Sequence, residues 1–129
     1  MRIAHRRLVA WADEARQLLG LDDWTLDIRV GNAGEGDGRP NVGSCGYYLD
    51  EKHAIITIDT RRIRNARSAR DTVIHEVAHC LLADIDIRFT LLARQLYPRN
   101  RAARAELHTT YEHLRETVVQ RLAKGLARV

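Results

Sequence analysis

Residues 71–83 read Asp-Thr-Val-Ile-His-Glu-Val-Ala-His-Cys-Leu-Leu-Ala, a stretch that as a helix would be apolar on almost every side. Val73, Ile74, Val77, Ala78, Leu81 and Leu82 leave it no solvent face, so it belongs inside a core. His75, Glu76 and His79 would be buried with it, and buried polar groups need partners. The two histidines are four apart and share a helix face, so both rings can turn a nitrogen to one metal ion. Glu76 lies about 100° further round the helix. It is displaced from an easy ligand position but within reach of a water at the metal. This is the His-Glu-x-x-His arrangement, with Glu76 as the candidate general base of a zinc-dependent hydrolysis. The bland alternative is a buried helix whose histidines are only hydrogen-bonded. Three polar residues in this order on an otherwise apolar helix favour the metal. Ser68, with Asp71 three residues later, is the expected N-cap.

A chain of 129 residues fits one domain, 1–129, with enough mass to bury a core unaided. Its two cysteines exclude a disulfide framework and a four-cysteine zinc ribbon. Cys80 reads as core, and Cys45 sits in a glycine-rich stretch without clear meaning. No apolar run approaches the ~20 residues of a membrane span. Arg6 and Arg7 precede only the apolar residues 8–12 before Asp13 and Glu14 intervene, too short for a signal-peptide core, so a cytoplasmic location is expected. Net charge is +4, with 19 arginines against two lysines. The densest run is Arg61, Arg62, Arg64, Arg67 and Arg70. It lacks interleaved aromatics, so it reads as a solvated connection, and nucleic acid is a weakly supported partner.

Residues 2–19 carry a helical stripe of Ile3, Ala4, Leu8, Trp11, Ala15 and Leu18 that Gly20 stops. Residues 24–30 alternate, with Trp24, Leu26, Ile28 and Val30 on one face of a half-buried strand. Five glycines and Pro40 make 31–43 a loop or long hairpin connection. Residues 44–49 and 54–59 read as two more strands joined by a turn at 50–53. After the buried helix, 84–100 is mixed, with a helix over 90–97 ended by Pro98. Residues 101–128 form a last long helix with the stripe Leu107, Tyr111, Leu114, Val118 and Leu122. The fold class is therefore α+β: an N-terminal helix, a three-stranded antiparallel sheet, the buried helix and a C-terminal helix.

In this order of elements, and in His75, Glu76 and His79, the chain resembles the zincin metallopeptidases. The metzincin extension asks for glycine at 82 and histidine at 85, where this chain has Leu82 and Ile85, and no methionine follows Met1 to make a Met-turn. The chain is more similar to the gluzincins, which take a glutamate from a later helix, and looks like a minimal stand-alone member of the kind found in phage and prophage genomes. The resemblance implies a Zn2+ cofactor, a third ligand from the C-terminal helix, and hydrolysis of a peptide or protein substrate.

Glu112 and Glu116 both lie on that helix. Four apart, they share a face, and the helical wheel slightly favours Glu112. The resemblance favours Glu116, which has Val119 at +3 and Leu122-Ala123 beyond; Glu116 is the expected ligand. Residues 54–59, just before the metal helix, are the expected edge strand for an extended substrate. His108, Tyr111 and His113 are open alternatives for an oxyanion donor. Two further readings stay in play: a SprT-like DNA-associated protease, prompted by the arginine surplus, and a non-catalytic zinc-binding interaction protein.

Overall fold

In the computed structural model, residues 3–36 and 38–128 are described. Their elements are helix α1 (His5–Leu18), strands β1 (Thr25–Val30), β2 (Glu35–Gly36), β3 (Arg39–Pro40), β4 (Gly43–Tyr48) and β5 (His53–Ile58), a 3-10 turn (Thr60–Arg62), and helices α2 (Ala66–Leu81), α3 (Ala83–Leu96) and α4 (Arg101–Ala127). The class is α+β. Arg2, where the sequence begins its first helix, lies outside the described residues, as does Asp37 in the glycine-rich stretch.

α1 buries Leu8, Ala12 and Ala15, spaced for one face. It ends in a Schellman closure: Leu21 N–H reaches Arg16 O at 2.9 Å and Gly20 N–H reaches Gln17 O at 3.1 Å. Gly20 makes this possible, because its φ of 70° is costly for a residue with a Cβ.

The sheet differs from expectation. Its order is β1-β5-β4, with β4 antiparallel to β5 and β1 parallel to it, so it is mixed rather than antiparallel. Alternation says which face of a strand is buried, not which strand lies beside it. The segment 31–42, long and folded on itself as the small β2–β3 hairpin, carries the chain past the position β5 will fill. The β4–β5 hairpin then inserts the most apolar strand into the middle, with Ala54, Ile56 and Ile58 fully buried. Residues 54–59 are therefore no edge; β4 is the free edge on the side of the helix that carries His75 and His79.

α2 begins earlier than expected, at Ala66. Asn65 is its N-cap and accepts from Ser68 N–H at 2.8 Å, so Ser68 sits inside the first turn rather than capping it. Val73, Ile74, Val77 and Cys80 pack into the core with α1 and the sheet. α3 is a full helix from Ala83, longer than the 90–97 segment the sequence marks. It stops before Pro98, which disfavours helical backbone at Tyr97. Asn100 caps α4, accepting from Ala103 N–H at 3.0 Å.

α4 packs on α2 and buries Val119 and Ala123, the latter joining the core cluster with Val73 and Val77. Leu114 and Val118, centred in the expected stripe, are 59% and 47% exposed. Among the described residues no helix is long and apolar enough to cross a membrane.

Candidate metal centre

His75 and His79 leave α2 one turn apart, their ring centroids 5.2 Å from each other. Glu116 reaches across from α4. Its Oε2 lies 3.3 Å from His75 Nε2, and its Oε1 lies 3.1 Å from His79 Nε2. One ligand atom from each of the three residues falls within 4.8 Å of the others, so the group could hold a metal ion. Bonds of 2.0–2.1 Å at tetrahedral angles place ligand atoms about 3.3 Å apart, and each histidine Nε2 already lies near that distance from one of the two Glu116 oxygens. Two imidazoles and a carboxylate are also a donor set zinc accepts. Burial, partly offset by the Glu116 charge, lowers the pKa of His79, which favours the neutral ring that a metal needs.

Axial register decides between the two glutamates. α2 and α4 run antiparallel: Arg70 donates to Ala127 O at 3.0 Å, while nine residues later His79 meets Glu116. One turn further along α4, Glu112 comes opposite residue 83, beyond the end of α2. It is exposed and takes no part in the group.

Glu76 is 7% exposed. Its pKa is pushed up to about 7, first by burial and then by the neighbouring Glu116 charge. Among the described residues, no side-chain hydrogen bond ties it down. Gly43, the first residue of β4, passes directly over it. A Cβ there would stand 3.0 Å from Glu76 Cγ and 2.9 Å from Thr72 Cγ2. The edge strand can approach the metal helix this closely only with hydrogen at that position.

Beside the triad lies a second polar cluster that sequence patterns do not reveal. Asp86 of α3, 9% exposed, accepts from Tyr47 OH of β4 at 2.9 Å and from Tyr111 OH of α4. Arg115 forks between two carboxylates, 3.5 Å from Asp86 and 3.8 Å from Glu116, and its Nε is buried without a partner. Burial and the Asp86 charge hold both tyrosines in the phenol form, well above their ordinary pKa. These residues lie far apart in the chain and meet only through the packing of β4, α3 and α4, which no local spacing announces.

All of this opens into a cleft of about 1010 Å³ lined by β4, α2 and the C-terminal half of α4. Tyr47, His75, Glu76, His79, Arg115 and Glu116 face it. The three suggested oxyanion donors do not line it. Tyr111 is engaged with Asp86, His108 packs edge-on against Phe89 at 5.6 Å, and His113 is exposed on α4. Of the arginine run, Arg61 and Arg62 are held by Asp59, and Arg70 is spent on Ala127 and Glu14. Cys45 and Cys80 are free thiols 3.8 Å apart. Compared with protein-family models, curated proteins and solved structures, the chain matches none of them.

Proposed function

We propose that this chain is a zinc-dependent metallopeptidase of gluzincin type, with His75, His79 and Glu116 as metal ligands and Glu76 as general base. The observation that carries the reading is the convergence of three ligand atoms from two helices, with a buried carboxylate beside them in an open cleft. A zinc ion held there supplies a Lewis acid that acidifies water and polarises a carbonyl. Glu76 takes the proton from the attacking water and returns it to the leaving amine. Arg115, held by Asp86 and Glu116 at the cleft wall, contributes positive charge toward the oxyanion growing on the scissile carbonyl. An extended substrate pairs along the free edge of β4.

The arginine run lends the SprT-like, DNA-associated alternative little support, since three of its five members are engaged within the fold. The test is hydrolysis of a denatured-protein pool by zinc-loaded wild type and Glu76→Gln. Cleavage by the first and not the second supports the reading. A zinc-loaded wild type that cleaves nothing moves the protein to a non-catalytic, zinc-binding role.

A further inference from the structure

α3 and α4 form an antiparallel hairpin joined by a short turn. Phe89 stacks on Tyr111 at 4.1 Å and meets His108 edge-on, while Asp86 takes Tyr111 and Arg115. The contact rows are therefore 86 and 89 on α3, with 93 in line, and 108, 111 and 115 on α4. One residue ahead of each row runs an apolar stripe: Ile85, Leu92 and Leu96 on α3, and Leu107, Leu114 and Val118 on α4. A one-residue step turns about 100°. In an antiparallel pair the same turn carries both stripes to the same side. On α4, Glu116 and Ala123, one residue past the row, face α2, so the stripes point away from the body of the protein.

Ile85 is 53% exposed, Leu92 49%, Leu96 59%, Leu114 59% and Val118 47%. At roughly 100 Å² each, these five side chains expose about 500 Å², toward the upper end of what a monomer's largest apolar patch shows. With the polar rim the face approaches the ~800 Å² that each partner buries in a standard interface. The rim carries both signs, with Arg88 paired to Asp84 at 3.2 Å and with Glu106 and Arg121 on α4, which speaks for a protein partner over an anionic membrane. A two-fold axis near Leu114 would also set Arg121 of one copy against Glu106 of the other.

We infer that this face closes on a second copy of the chain, stacking two helical hairpins into a four-helix bundle about a two-fold axis. The inference is independent of the metal, whose cleft opens on the other side of the hairpin.

The full chain, examined by light scattering and sedimentation at micromolar concentrations, should show twice the 14.7 kDa protomer mass. Leu92→Glu with Leu114→Glu should raise the dimer dissociation constant at least ~100-fold with helicity unchanged. Val9→Glu, an exposed change on α1, should leave the dimer intact. If the double variant unfolds, Arg121→Glu should weaken the dimer and adding Glu106→Arg should restore it. A wild type monomeric across that range overturns the proposal, as does a dimer indifferent to these changes. Flotation of a monomeric wild type with anionic vesicles would overturn it in favour of lipid.

Discussion

Burial and the charge of Glu116 raise Glu76 to about 7, and this has a measurable sign. In the metal-free protein the unfolded chain releases the Glu76 proton near the ordinary 4.5, whereas the folded chain keeps it until about 7. Folding thus binds a proton between these values, and the Glu76 contribution to stability is full below the first and lost as pH rises through the second. Lowered His79 acts oppositely, so the informative quantity is a difference. The melting temperature of metal-free wild type, minus that of Glu76→Gln, should fall between pH 4.5 and 7; a flat difference would show that Glu76 is not buried in this way. With zinc loaded, Glu76→Gln should keep its metal and lose about 10²–10⁴-fold in peptide hydrolysis, because an amide accepts no proton. Gly43→Ala should destabilise by about 1–3 kcal/mol, read from denaturant unfolding, because its methyl group meets Glu76 and Thr72. His75, Glu76 and His79 were legible in the sequence because their geometry is local to one helix. Tyr47, Asp86 and Arg115 were not, since nothing short of the tertiary packing puts a strand, a helix and a second helix around one carboxylate.

Helix α4 shows where pattern reading stops. Its strongest apolar stripe, centred on Leu114 and Val118, points largely to solvent, and its buried residues are Val119 and the small Ala123. A wheel drawn on the stripe favours Glu112, but the position along the helix, set by the end of α2, brings Glu116 to the histidines. The strands carry the same lesson: their apolar faces were readable, while the insertion of β5 between its neighbours depended on the long segment 31–42. α4 nevertheless completes the core, since it packs on α2, buries Val119 fully and brings Ala123 into the core cluster. A fragment ending near Pro98 should therefore lack a cooperative thermal transition, and a soluble 1–98 fragment that melts cooperatively would contradict the packing. Asn65→Ala, which removes the α2 cap, should cost about 1 kcal/mol in the intact chain, read from denaturant unfolding.

For the whole molecule, the proposed metal ligands come from two helices whose sequence separation spans α3, so a bound ion would tie the C-terminal helix to the core. Zinc at about 100 times its dissociation constant adds ~2.7 kcal/mol, and chelation should lower the melting temperature by about 10 °C. The most direct test of the account is the zinc content of the purified, dialysed chain beside its Glu116→Ala and Glu112→Ala variants. The account predicts one zinc per chain in wild type and in Glu112→Ala, and its loss in Glu116→Ala. A wild type that takes up no zinc, or a loss confined to Glu112→Ala, would contradict it.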